Sequence, residues 1–375
     1  MKKYWLKFNH RVYTLFIRRI VFLFNSEIIH EFLLGLGSFL GRSKALIFLL
    51  KKIFRVENPM LLQEISGIEF PNPIGLAAGF DYKAQLTQFV SPLGFGAETV
   101  GTITYFPYAG NPKPRLGRLT KSKSLMVNKG FKNPGIVTVC QRLKGKRFDV
   151  PVGLSIGKTN SQKHVTQEGA VLEIVKTFKL AEKSSLAVSY YELNISCPNL
   201  YGNISFYPPK NLEELLNEVS KLKLKKPIFI KMPVEKSDAE IISMLNVVIN
   251  YPIAGVIFGN LQKDKKDLAF NREEVRKFKV GSFSGKPAQK RSNELVSLSY
   301  KKFGEKLIII GCGGIFNAKD TYEKIKLGAS LVQLITGLVF EGPFLAAQIN
   351  SDLVNLLKKD GYKNISQAIG VDAKK

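Results

Sequence analysis

Leu307-Ile-Ile-Ile-Gly-Cys-Gly-Gly314 and Leu331-Val-Gln-Leu-Ile-Thr-Gly337 are two short apolar runs, each stopping at glycine. Runs of this kind, bounded by turn residues, read as strands buried on both faces, here Leu307–Gly311 and Leu331–Ile335. Working back toward the N-terminus, the same element recurs at Gly255–Phe258, Ile228–Lys231, Glu192–Ser196, Val152–Ile156, Glu98–Thr102 and Ile74–Ala78. Amphipathic helical stretches such as Asn211–Leu222 and Asp238–Ile249 separate several of them. Regular β/α alternation implies a parallel sheet, and eight units predict an α/β fold of the closed (β/α)8 TIM-barrel type rather than an open doubly wound sheet. No Gly-x-Gly-x-x-Gly run follows the first strand, which argues against a dinucleotide-binding fold.

Asn58-Pro59 breaks the preceding helical pattern and marks the expected boundary between residues 1–58 and a barrel over 59–375. The 375 residues are 45% hydrophobic and 23% charged, which excludes a disordered or fibrous chain. Three cysteines without a secretory pattern point to a reducing compartment. The net charge of +26 suits an anionic partner, lipid headgroups or nucleic acid, or reflects lysine-rich usage without a specific partner. Residues 1–56 hold six Lys and five Arg against only Glu27 and Glu31. They also hold two bulky apolar groups, Leu15–Phe24 and Ile28–Leu40, the second at helical spacing after Ser26-Glu27. A spanning helix needs ~20 uninterrupted apolar residues. Arg18 and Arg19 interrupt the first group, and Arg42 and Lys44 bound the second. The segment is therefore expected to be an amphipathic helical extension lying on an anionic membrane surface, peripherally, at the cytoplasmic face of the cell membrane. Docking on the main domain is the competing use of the same helices.

Active sites of such barrels form where strands end at the C-terminal face. Gly313, Gly314, Thr336 and Gly337, after the last two strands, are placed to cradle a phosphate with bare backbone N–H groups. Histidine is scarce: His10 and His30 fall in the helical segment, His164 in a loop or helix start, and none at a strand end. Proton transfer in the barrel must use another group. Cys197, after a strand and between Asn194 and Asn199, is the best placed, whereas Cys140 and Cys312 read as buried structural thiols. Lys231 ends an apolar strand, where an inward ammonium calls for an anion. No His, Cys or carboxylate set has metal-ligand spacing.

Asn72-Pro-Ile-Gly-Leu-Ala-Ala-Gly-Phe-Asp81, Gly101-Thr102 with Lys113-Pro-Arg-Leu116, Asn194-Ile-Ser-Cys-Pro-Asn199, Ser284-Gly-Lys-Pro287 and Gly311–Ile315 together resemble dihydroorotate dehydrogenase. The resemblance runs through the whole barrel. The N-terminal helices, with Ile29-His-Glu-Phe32, are similar to those of the membrane-associated, quinone-dependent class 2 enzymes. The resemblance implies oxidation of dihydroorotate to orotate in pyrimidine (UMP) synthesis, with FMN in the barrel mouth and a membrane quinone as acceptor. It implies FMN contacts at Ala78, Gly79, Thr102, Ser155, Asn194, Lys231, Gly285, Gly314, Ile335 and Thr336. It places the pyrimidine against Asn194, Asn199 and Asn260, beneath a closing loop Asn128-Lys129-Gly130-Phe131. In that reaction a base removes a proton from C5 while hydride leaves C6 for the flavin. Cys197 would be the base, and Lys231 would stabilise charge on the reduced flavin.

The chain departs from the family pattern in places. Class 2 enzymes usually carry serine where Cys197 stands, and cysteine there is the habit of the soluble class. Tyr82 replaces the usual lysine, with Lys83 next to it, and the usual Asn-x-Met-Gly-Phe of the substrate loop reads Val127-Asn-Lys-Gly-Phe131. Lys129, with Lys83 as the competitor, is expected to supply the cation for the substrate carboxylate. Ser155 stands where asparagine is usual. Fumarate or another soluble acceptor is the alternative oxidant. A tRNA-dihydrouridine synthase is a further alternative, disfavoured because its extra helical domain follows the barrel; the expectation is no nucleic-acid partner.

Overall fold

The computed structural model describes residues 2–161, 166–197, 200 and 204–373. Eight parallel strands close into a barrel: β1 (Ile74–Leu76), β2 (Ala97–Ile103), β3 (Val152–Ile156), β4 (Tyr190–Asn194), β5 (Ile228–Met232), β6 (Gly255–Phe258), β7 (Ile308–Cys312) and β8 (Leu331–Leu334). Each strand pairs with its neighbours in the chain, and β8 closes on β1 through Gln333 opposite Gly75. The eight expected strands are all present, with ends displaced by a residue or two. Helices such as Pro209–Ser220 and Asp238–Val248 cover the outside, the latter opened by a reciprocal cap between Ser237 and Glu240.

Two separate apolar clusters follow from strands buried on both faces. The larger lies between barrel and helices, around Leu76, Leu154, Leu193, Ile230, Val256 and Ile309. The smaller fills the barrel with Ala97, Tyr190, Phe229, Ile257, Ile310 and Leu331. A hairpin of Gln63–Ile65 and Ile68–Phe70 closes the N-terminal end, its Ile65 and Phe70 joining the inner cluster and Phe70 lying 6.3 Å from the Tyr190 ring. At the opposite end, Leu116–Leu119, Ser124–Val127 and Ser282–Gly285 form a small antiparallel sheet beside the mouth.

Four helical stretches precede the barrel: α1 (Lys2–Val12), α2 (Arg18–Leu23), α3 (Ser26–Leu40) and α4 (Lys44–Phe54). A π-turn at Tyr13–Ile17 joins α1 to α2, and the chain then bends by 116° into α3. Asn25 causes the new start, because its side chain accepts from the N–H groups of Glu27 and Ile28. The cap is thus one residue earlier than Ser26. Inner faces dock on the barrel: Phe54 stacks on Phe344 at 3.8 Å, Phe22 meets Phe340 edge-on, and Leu34 is wholly buried. Gly37 lets α3 approach Leu86, whose Cδ2 would lie 2.4 Å from any Cβ there. The outer faces expose Phe8, Phe16, Ile20, Leu23, Ile28, Phe32, Phe39 and Phe48. Among the described residues no single helix is long and apolar enough to cross a membrane.

Candidate active site

The C-terminal ends of the strands carry a continuous polar network. Asn194, ending β4, donates through Nδ2 to Thr102 Oγ1 at 2.7 Å, and Thr102 meets Ser155 Oγ at 2.9 Å. Asn194 Oδ1 accepts from the N–H and hydroxyl of Ser196, both at 3.2 Å. Asn260, after β6, donates to the Ser196 carbonyl at 2.5 Å and to its hydroxyl at 2.7 Å. Lys231 lies opposite Asn194 in the β4–β5 register and points inward, because Phe229, two residues earlier, lies in the inner cluster. The loop after β1 is tied to that after β2, with Gly79 N–H bonded to the Gly101 carbonyl at 2.6 Å. Its turn is shaped by buried Asp81, which accepts from the N–H groups of Lys83, Gln85 and Leu86.

Cys197 is half-buried and lines a cavity of about 200 Å³ together with Asn194, Lys158 and Tyr207. Burial pushes the Lys158 ammonium down, and the charges of Glu173 and Cys197 pull it back up. By reciprocity the ammonium favours the thiolate at Cys197. Sequence reasoning gave Lys158 no role; its position just past β3 was the available signal. Asn199 and His164 lie outside the described residues.

The closing loop is locked from both sides. Gly130 nests between Asn111 Oδ1 and Asn160 Nδ2, which bond to one another at 2.8 Å, so a Cβ would lie 2.4 Å from the former. The Phe131 ring lies against Gly157 at the end of β3, where a Cβ would come within 2.8 Å of it. Asn128 turns to the neighbouring loop, accepting from Asn111 Nδ2 at 3.1 Å. The two cations expected for the carboxylate are both engaged by α3. Lys83 Nζ pairs with Glu31 at 2.5 Å, and Glu31 also accepts from Tyr82 and, at 2.9 Å, from Lys132. Lys129 Nζ lies 2.8 Å from His30 Nδ1 and 4.6 Å from the Tyr82 ring centre. His30 Nε2 donates to the Phe80 carbonyl at 2.9 Å, so Nδ1 is the acceptor and the ring is neutral. Burial, reinforced by the Lys129 charge, lowers His30 to about 3, while burial and the Lys132 charge lower Lys129 to about 7. Against the opposing effect of burial, bonds from Lys83, Tyr82 and Lys132 hold Glu31 down to about 2. Glu27, one turn earlier, takes Arg115 and Lys132, each at 2.9 Å.

The ends of β7 and β8 meet the small sheet in a cradle that fits a phosphate. Ser284 and Thr336 hydroxyls bond at 2.7 Å, and a Cβ on Gly285 would lie 2.7 Å from Thr336 Cγ2. Gly314 has φ +72°, and a Cβ there would meet Gln289 Cβ at 2.2 Å. The short helix Thr336–Glu341 has no side-chain cap, which leaves its first N–H groups for an anion. Around Gly79 a Cβ would meet only Ile335 Cδ1, at 3.6 Å, so the floor beside Ala78 is open to a flat ring. Ser284 is the member that sequence reasoning left unassigned. Among the described residues no group of His, Cys, Asp or Glu could hold a metal.

A (β/α)8 barrel whose mouth joins a glycine-lined cradle to a polar, thiol-bearing pocket is built as a cofactor-dependent barrel enzyme. Residues 60–357 match the family model described as dihydroorotate dehydrogenase, and the chain belongs to that family of flavin-dependent oxidoreductases. A protein from Christiangramia forsetii named dihydroorotate dehydrogenase (quinone) is 36% identical over 92% of this chain and 99% of its own length. One from Roseiflexus sp. with the same name is 33% identical over 95% and 97%. A crystal structure of the Eimeria tenella enzyme in complex with ferulenol superimposes with a TM-score of 0.81 at 27% identity, covering 93% of this chain and 96% of that one.

Proposed function

We propose that this protein oxidises dihydroorotate to orotate for pyrimidine synthesis with FMN bound at the barrel mouth, and passes the electrons to a membrane quinone. The observation that carries the reading is the meeting of Cys197, Asn194 and Lys231 at one strand-end network beside an uncapped, glycine-lined cradle. Gly285, Gly314 and Thr336 would hold the phosphate, and Ala78, Gly79, Thr102, Ser155, Asn194, Lys231 and Ile335 the ring. The chemistry FMN supplies when bound is acceptance of hydride.

The chain's own residues do the rest. Cys197 takes the C5 proton, its thiol far more acidic than the alcohol usual at this position (reference pKa ~8.5). Lys158 favours its thiolate. Asn194, Asn199 and Asn260 present carboxamides, which donate and accept, to the alternating edge of the pyrimidine. Gly130 and Phe131 keep water out while the proton moves. Lys129 or Lys83 would meet the substrate carboxylate only after exchanging a partner on α3.

Residues 1–58 form, in this reading, the membrane-associated segment, and 59–375 the catalytic barrel. Support comes from the exposed apolar row on α1–α4, flanked by Arg11, Arg19, Arg42 and Lys52. That row would rest on the anionic cytoplasmic face of the membrane without crossing it. The test is anaerobic mixing of the purified full chain with dihydroorotate, then with a quinone in anionic vesicles. Bleaching of a visible flavin band followed by its return is the expected result. A colourless protein, or a band that dihydroorotate leaves unchanged, overturns the reading.

A further inference from the structure

Residues 263–279 carry seven Lys and Arg against four Asp and Glu, and the reaction above uses none of them. The segment follows β6 and leads into Ser282–Gly285 of the small sheet. It folds as a turn and the short helix Arg272–Arg276, held in shape by its own side chains. Lys265 Nζ donates to the Phe278 carbonyl at 2.9 Å, and Arg272 donates to the carbonyls of Lys265 and Lys266 at 3.2 and 2.8 Å. Beneath, Phe270, Val275 and Phe278 pack with Leu119, Met126 and Phe283 of the sheet.

The acids of the segment are engaged locally. Glu274 accepts from the N–H groups of Lys121 and Ser122 at 2.8 and 2.9 Å, and Glu273 pairs with Lys121 at 3.3 Å. Asp264 and Asp267 accept from the N–H groups of Lys266 and Ala269, each at 2.8 Å. The cations are not so engaged: exposed Lys266, Arg276, Lys277 and Lys279 make no ion pair among the described residues. Lys266, Arg276 and Lys279 line, with Lys265 and Arg272, a cavity of about 490 Å³, and among the described residues no Asp or Glu joins its lining. Two apolar side chains stand out among these charges, Leu268 at 94% exposure and Val280 at 43%. A site for single-stranded nucleic acid would offer aromatic rings for stacking, but Phe270 and Phe278 are turned onto the sheet. An aliphatic tip ringed by lysines suits a headgroup layer over acyl chains.

The patch neighbours the helical extension. Arg118, on the small sheet, donates to the Phe24 carbonyl at 2.8 Å, and its guanidinium lies 4.6 Å from the Phe22 ring centre. Gly117, the next residue and so on the other face, admits the Phe278 ring, whose Cε1 would lie 2.4 Å from any Cβ there. One sheet thus carries the end of α2, with Leu23 and Phe24 exposed, on one face and the basic segment on the other. We propose that residues 263–280 form a second contact with an anionic lipid surface, outside the N-terminal helices, so that the protein rests on the membrane at two places flanking the small sheet. The inference deepens the membrane reading above and rests on it. A single contact leaves a pivot, whereas two fix a tilt. Because the segment runs directly into the strand bearing Ser284 and Gly285, that tilt also sets the attitude of the mouth to the bilayer.

The experiment is sedimentation of the full chain with vesicles of phosphatidylcholine, with and without phosphatidylglycerol. Lys266→Gln, Arg276→Gln and Lys279→Gln together should weaken binding to the anionic vesicles about a hundredfold, each cation at such a surface counting about fivefold. Leu268→Ser alone should weaken it about tenfold. All four side chains are exposed, and unchanged flavin reduction by dihydroorotate reports that both variants are folded. Parent-level binding to the anionic vesicles in either variant overturns the proposal. If the triple variant keeps the vesicles but loses affinity for a single-stranded RNA oligonucleotide that the parent binds, the patch belongs to nucleic acid and the proposal falls. A parent that does not sediment with the anionic vesicles defeats the membrane reading itself, so the two failures are distinguishable.

Discussion

Lys129 and His30 join the substrate loop to the N-terminal helix: Nζ stands 2.8 Å from Nδ1, although the two residues lie 99 positions apart. The contact sets a sign for stability against pH. Lys129 titrates at about 7 in the fold and at 10.5 ordinarily. Between those values the unfolded chain keeps a proton that the folded chain has released, so this residue adds stability as pH rises and least below 7. Lys129→Met should therefore melt higher relative to the parent at about pH 6 than at about pH 9. Parallel melting curves at both values contradict the burial of that ammonium.

Cys197→Ala should retain flavin and lose about 10²- to 10⁴-fold in kcat, the scale of a missing general base. Cys197→Ser should recover activity only toward alkaline pH, because an alcohol is the weaker acid. Stopped-flow reduction by dihydroorotate reads both, and normal reduction in the alanine variant removes the thiol from the mechanism.

Glu31 holds Lys83, Tyr82 and Lys132 together beside the mouth. Glu31→Gln should raise KM for dihydroorotate about tenfold with flavin retained, since a small displacement of positioning groups is costly. The Glu31 contribution to stability is present above the ordinary carboxylate range and fades as pH falls toward about 2. Thermal melts of parent and variant should converge in acid.

Gly314→Ala should yield a colourless protein. The residue needs φ +72°, and the added methyl carbon collides with Gln289 Cβ. Full flavin content in that variant, read from its absorbance, moves the phosphate away from this cradle.

Phe16→Ser in the π-turn with Leu23→Ser at the end of α2 removes two exposed outer-row side chains and touches no residue of the mouth. Sedimentation with anionic vesicles should fall about tenfold, each large apolar burial being worth ~1.5–3 kcal/mol when complete. Reduction by dihydroorotate should be unchanged. Equal sedimentation places the membrane contact elsewhere.

The barrel was legible because its strands are buried on both faces and appear as apolar runs. Their ends were less so: Leu307–Gly311 proved to be Ile308–Cys312, since Leu307 and Cys312 are equally apolar in sequence. The small sheet at Leu116–Leu119, Ser124–Val127 and Ser282–Gly285 was invisible, being short, mixed in polarity and paired across distant segments. The strand-end asparagines and glycines stood out by residue type, whereas the use of Lys83 and Lys129 did not. Both are held by Glu31 and His30 of a helix whose packing the local sequence does not encode. Glu192 was read only as a strand's first residue, because inward or outward direction depends on where that strand begins.

The Phe70 hairpin stoppers the barrel from below. With that end shut, whatever delivers electrons and whatever collects them must approach from the side of the strand C-termini, where α3 and the loop around Gly130 already stand.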